Sequence, residues 1–192
     1  MSTSTDRAVV LLLSWLGGLA GHYSGDYLVQ RDCDAQRKQE RNAAGRRALL
    51  RHVVTYALSL AGTRAVAYRV ARTRVPLRAQ VIAAVVEAVL HALIDDGRLL
   101  RRYAELVGKT RFHELADQGI NGRSLLDQAA HLGVQLPIGA AMTAVVAGLA
   151  TSSAGPLDLV PAPEPAGGDR SRNGETAALG QIRSVSKCAD LE

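Results

Sequence analysis

Four stretches of the chain are apolar enough to form the main helices of a bundle. Residues 8–25 contain no Asp, Glu, Lys or Arg, and their core, AVVLLLSWLGGLAG, approaches the ~20 residues that a bilayer-spanning helix needs. Nothing between Gln128 and Leu157 is formally charged, and Pro137 in that run cannot donate to a helical ladder, which predicts a kink. Residues 52–63 and 79–94 are weaker, because Arg64 ends the first and Glu87 interrupts the second. The pattern predicts an all-α bundle of about four main helices, transmembrane or membrane-embedded, over residues 1–150. From about residue 151 the chain turns to Pro, Gly, Ser and Ala without apolar periodicity, which predicts a disordered C-terminal tail over 151–192.

Two rival readings accompany this pattern. A soluble four-helix bundle would use the same runs as core helices. The first run also has features of a cleavable signal peptide, with Arg7 ahead of it and Gly18-Leu19-Ala20 resembling a cleavage site. Against cleavage, Asp6 cancels Arg7, and the later runs argue for a chain retained in the membrane.

Composition narrows the chemistry. At 192 residues one domain with a tail is the expectation, and two cysteines, Cys33 and Cys188, cannot make a disulfide framework or a Cys-ligated zinc module. Aromatics are only 4%, so helices must pack through Ala, Leu and Val. The chain carries a net charge of +5, and with four basic and six acidic residues after position 150 the first 150 residues carry about +7. The connection 31–51 holds seven basic and three acidic residues, which favours the cytoplasm, and the next one holds Arg69, Arg72, Arg74 and Arg78 without an acid. Both cannot lie inside if the helix between them spans. One resolution is that the second and third segments are short or re-entrant. These arginines have no aromatic interleaving and no helix-turn-helix around them, so the expected partners are the lipid bilayer and its anionic headgroups rather than nucleic acid.

Polar residues inside the apolar runs carry the functional signal. His22, His52, His91 and His131 fall one to each run, and three have a carboxylate four residues away: His22 with Asp26, His91 with Asp95, and Asp127 with His131. Residues i and i+4 share a helical face, so three inward-facing stripes would meet in one cluster. Neutral imidazole and carboxylate together suit a divalent metal such as Zn, Mn or Fe, and the candidate ligands are His22, Asp26, His91, Asp95, Asp127 and His131, with His52, Gln30 and Gln128 as further members. A proton relay is a second reading, and polar glue between helices a third, since ionisable groups in apolar surroundings need partners in any case. Asp96, rotated about 100° from Asp95, should face away. His113 and Asp117 repeat the spacing in a charged segment that belongs at the surface. P-loop, HExxH, GxSxG and GxGxxG patterns do not occur. Gly17, Gly18 and Gly21, and the run from Gly139 to Gly148, suit close helix packing.

The ordered set H-x-x-G-D-Y-L-x-Q (His22 to Gln30), H-x-x-x-Y (His52, Tyr56), H-A-L-I-D (His91 to Asp95) and L-D-Q-x-x-H (Leu126 to His131) resembles the bacterial membrane family known as domain of unknown function 3307. The resemblance covers roughly residues 8–150. It implies a small, multi-helix integral membrane protein and no particular activity. The chain departs from that pattern with Arg64, Glu87 and its long hydrophilic tail. Two function classes follow: a small protein of the bacterial inner membrane whose His/Asp cluster is a metal or proton site, in the enzymatic case that of a hydrolase, or a structural bundle whose cluster only specifies helix packing.

Overall fold

The computed structural model describes residues 3–152; Thr151 and Ser152, the first residues of the expected tail, end the last helix, and the rest of that tail lies outside the described residues. Helix α1 (Thr3–Tyr23) runs into a π-helical turn (Ser24–Val29), and a short α2 (Asp32–Arg37) leads to α3 (Ala43–Val70). Asn42 caps α3, its side chain accepting from the Gly45 N–H at 2.8 Å. Pro76 precedes α4 (Leu77–Asp95), which is followed by α5 (Arg98–Leu106) and α6 (Thr110–His113). A two-stranded hairpin, β1 (Ala116–Asp117) with β2 (Ile120–Asn121), is the non-helical element of this region, its turn carried by positive φ at Gln118 and Gly119. Helix α7 (Gly122–Ala130), capped by Asn121, passes through a second π turn (His131–Gln135) into α8 (Leu136–Ser152).

Four long elements close a ring: α1 packs on α3 and α8, and α4 packs on α8 and α3. The chain runs up, down, up, down. Its distribution of polarity is inverted relative to a water-soluble bundle. Helix α3 buries Ala48, His52, Tyr56, Leu60, Arg64 and Tyr68, every fourth residue, and leaves Leu50, Val54, Leu58, Val66 and Val70 exposed. In the same way α4 buries Ala79, Ala83, Glu87, His91 and Asp95 and exposes Val81, Val85, Val89 and Leu93. An apolar outside around a polar inside fits lipid and disfavours the soluble bundle. Three helical stretches are long and apolar enough to cross a membrane, Arg7–Val29, Leu77–Asp95 and Gly122–Leu149. The chain is a membrane protein by this measure. Helix α3 has the length, about 42 Å at 1.5 Å per residue, but the residues it turns inward include His52, Tyr56, Arg64 and Tyr68.

The expectation that the middle segments are short or re-entrant is therefore corrected. Both are full-length helices, and the charges that seemed to interrupt them neutralise each other. Arg64 Nη2 donates to Glu87 Oε1 at 2.8 Å, Nη1 donates to Oε2, and Nε donates to the Ser14 carbonyl at 2.8 Å. Glycines make the space for this pair. A methyl group on Gly139 would overlap the Glu87 carboxylate, and one on Gly17 would stand 2.9 Å from Arg64 Cα.

Candidate metal centre

The antiparallel order places the C-terminal end of α1, the N-terminal part of α3, the C-terminal end of α4 and the α7 to α8 junction at one end of the bundle. All four buried histidines of the apolar runs lie there, and the three His–Asp pairs converge. Two of the contributing segments are π-helical, and the second π turn has a local cause. Gln30 N–H donates to the Gly25 carbonyl and Leu136 N–H to that of His131, five residues back, and Pro137 has no N–H with which to resume the ordinary ladder at Gly133. The widened turns hold Asp26 and His131.

Glutamines fix the histidine rings. A glutamine oxygen can only accept, so the ring nitrogen facing it carries the hydrogen. Gln135 Oε1 takes Nδ1–H of His131 at 2.5 Å and of His91 at 3.3 Å, while its Nε2 donates to Tyr56 Oη at 3.1 Å. Gln30 satisfies both of its neighbours only with its amide oxygen turned toward α3, where it would accept from His52 Nδ1 at 3.2 Å and from Lys38 Nζ at 3.3 Å. The neutral forms of His52, His91 and His131 thus present bare Nε2 atoms to the carboxylates. His52 Nε2 lies 3.0 Å from Asp95 Oδ2 and 3.4 Å from Asp26 Oδ1. His91 Nε2 lies 3.2 Å from Asp95 Oδ2, 4.0 Å from Asp26 Oδ1 and 2.9 Å from His52 Nε2. His131 Nε2 lies 3.3 Å from Asp95 Oδ1 and 3.5 Å from Asp127 Oδ2.

Lone pairs therefore face lone pairs. Asp26 Oδ1 and Asp95 Oδ2 are the buried side-chain oxygens, among the described residues, that accept no hydrogen bond of good geometry, although the Lys38 ammonium stands 2.9 Å from Asp95 Oδ2 as an ion pair. The Lys38 ammonium offsets part of the repulsion at Asp95 Oδ2, and the rest of the arrangement is repulsive unless a cation or shared protons lie between its members. Donor atoms about 2.0–2.2 Å from one ion stand about 3 Å apart in octahedral and about 3.4 Å apart in tetrahedral coordination, and the separations above lie in or close to that range except His91 Nε2 to Asp26 Oδ1, which at 4.0 Å is wider. Asp26, His52 and His91 offer one donor set, each within 4.8 Å of the others, and His91, Asp95 and His131 offer a second that shares His91.

The model of the family described as protein of unknown function (DUF3307) matches residues 13–154. The chain belongs to this family. Every residue of the cluster lies within the matched span of this DUF3307 protein. No curated protein and no solved structure matches the chain.

Not every expected residue of the DUF3307 site has the same place in it. His22 and Asp127 belong to neither donor set. Both nitrogens of His22 are engaged, Nε2 with Gln128 Oε1 at 2.9 Å and Nδ1 with Tyr56 Oη at 3.1 Å, and Asp26 Oδ2 is 3.6 Å from Nδ1. His52, expected only as a further member, stands at the centre. Asp96 faces away, paired with Arg41 and Arg98. His113 is buried apart from the cluster, and Asp117 lies on β1 rather than on its helix. Gln135, Tyr56 and Lys38 were not among the expected site residues. Gln135 and Tyr56 follow His131 and His52 by four residues, a spacing that could have found them, and Tyr56 stacks on His91 with ring centroids 3.6 Å apart. Nothing in the sequence marks Lys38. An open cleft of about 290 Å³ reaches the cluster from outside, lined by Asp26, Gln30, Lys38, Arg123, Asp127 and Gln128 among others.

Proposed function

We propose that this cluster is a divalent metal centre, of the Zn, Mn or Fe class, in a protein of the bacterial inner membrane. One observation carries the reading: glutamine-fixed imidazoles aim their Nε2 atoms at two buried carboxylate oxygens, of which Asp26 Oδ1 accepts no hydrogen bond and Asp95 Oδ2 has a single ammonium, that of Lys38, beside it. Fixing the remote ring nitrogen on a carbonyl oxygen is how metal-ligating histidines are held. Asp26, His52, His91, Asp95 and His131 would hold the ion, with Gln30, Gln135 and Tyr56 orienting them. The open cleft suits a catalytic rather than a sealed structural site, and hydrolysis is the reaction class proposed. A divalent ion held there would supply Lewis acidity for the attack of water. Asp127 lines the cleft and stands 3.5 Å from His131 Nε2, so it is placed to hold a proton released in the cleft.

The orientation proposed follows from counting charges at the two ends. The connections at the cluster end, residues 31–51 and 98–123, hold seven and six basic residues, thirteen in all, against Arg7, Arg69, Arg72, Arg74 and Arg78 at the other end among the described residues. The cluster end is then cytoplasmic, with its basic connections against anionic headgroups.

Metal analysis of the purified full chain in detergent tests the reading. Wild type should retain metal in stoichiometric amount, and His91→Ala, which removes the residue common to both donor sets, should lose it. A chain that takes up no added metal would favour the second reading, a proton shared between His52 and His91, whose Nε2 atoms lie at the hydrogen-bonding distance of 2.9 Å.

A further inference from the structure

Lys38 stands at the end of α2, outside the bundle, yet its side chain reaches in. Its ammonium lies 2.9 Å from Asp95 Oδ2, the oxygen that His52 and His91 also face, and its side chain is only 14% exposed. Gln30 receives it at 3.3 Å. The backbone that carries it is anchored: Lys38 N–H bonds to the Asp34 carbonyl, Asp34 is bound by Arg51, and Gln39 Nε2 donates to the Asp95 carbonyl at 3.2 Å. The four-carbon stem of the lysine is free to turn on that support, and it lines the cleft, the approach from outside.

We propose that Lys38 is a tethered cation that occupies the metal site in the absence of an ion and is expelled into the cleft when one enters. An ion bound to Asp95 Oδ2 and an ammonium 2.9 Å from the same oxygen would place two positive charges within a few ångströms of each other in a buried site, where their repulsion is weakly screened. The two occupants are therefore mutually exclusive. Asp95, fully buried, always has a cationic partner, and the protein is not obliged to keep a bare carboxylate while it waits for metal. The same lysine sets the affinity of the site, since an incoming ion must first break a charge-assisted contact. This inference rests on the metal reading of the cluster and adds a competitor to it.

Zinc is the probe, and the full chain in detergent is the material. The chain has only three lysines, Lys38, Lys109 and Lys187, so acetylation by an amine-reactive ester followed by mass spectrometry reads Lys38 against exposed Lys109. Zinc should raise Lys38 acetylation several-fold and leave Lys109 unchanged. In parallel, Lys38→Met should bind zinc more tightly by about tenfold to a hundredfold, the range expected for losing one charged contact at this distance. If zinc binds to wild type while Lys38 stays protected, or if Lys38→Met binds no more tightly, the tethered-cation proposal is overturned and the metal centre stands. If neither protein binds zinc, both readings fall together.

Discussion

Two sets of buried ionisable groups lie one above the other in this bundle, and they are finished to different degrees. In the Arg64–Glu87 pair each guanidinium nitrogen has an acceptor, glycines from α1 and α8 close around it, and the adjoining cavity is only about 30 Å³, room for little more than a water molecule. The His/Asp cluster, in contrast, keeps Asp26 Oδ1 without a hydrogen bond, leaves Asp95 Oδ2 to the Lys38 ammonium, has several bare ring nitrogens, and opens on a cleft ten times larger. A completed pair holds helices together. An incomplete set, retained at a cost in stability, is complementary to something that arrives from outside.

Breaking the completed pair should produce the largest loss. Glu87→Ala leaves the Arg64 guanidinium buried without its acid and should cost about 3–5 kcal/mol in thermal unfolding of the detergent-solubilised protein, whereas Arg64→Met with Glu87→Met should restore wild-type stability or exceed it. A double mutant as unstable as Glu87→Ala would mean that the charges do more than satisfy each other. Gly139→Ala forces a methyl group onto Glu87 and should cost about 1–3 kcal/mol. In a Glu87→Ala background that penalty should vanish, and a double-mutant cycle showing no coupling would contradict the packing described here.

The cluster should respond in affinity. Gln135→Leu removes the acceptor shared by His91 and His131 and should weaken metal binding by about 10- to 100-fold, measured by competition with a chromogenic chelator. An unchanged affinity would show that the glutamine does not orient the rings. The smallest effect belongs to Asp96. Burial pushes its carboxyl up, but the Arg98 and Arg41 guanidinium groups outweigh burial and hold it below the usual carboxylate range. A carboxylate lowered in this way stabilises the fold above its unfolded value, about 3.9, and the contribution fades as pH falls through the lower folded value. Asp96→Ala should therefore leave metal content unchanged, cost less than about 1 kcal/mol at neutral pH, and narrow its gap to wild type in acid unfolding below about pH 4.

Much of the cluster was legible in the sequence because a helix converts a spacing of four into a shared face. That rule found His22 with Asp26, His91 with Asp95, and Asp127 with His131, and the placing of one histidine in each apolar run added His52. It said nothing of Lys38, which arrives from a short connecting helix with no periodic constraint. The four main helices were legible too, but not their lengths. Hydropathy scores Arg64 and Glu87 as two separate interruptions, whereas in the folded chain they are one neutral unit, and that pairing is tertiary information. The small hairpin at Gln118-Gly119 escaped because its strands are two residues each, too short for any alternation to show.

The Arg64–Glu87 pair also bears on biogenesis. Glu87 stands at the middle of α4, so a nascent α4 presented alone to the lipid would carry an uncompensated charge at the depth where one charged residue disfavours insertion by about 2.5–3.5 kcal/mol. Arg64 sets the same obstacle before α3. The two helices are consecutive, and the loop from residue 71 to 76 is short enough for both to leave the translocation machinery as one hairpin with its charges already joined. A chain released after residue 76 would have to seat α3 without Glu87, and it should be found largely uninserted, whereas a chain released after Asp96 should hold.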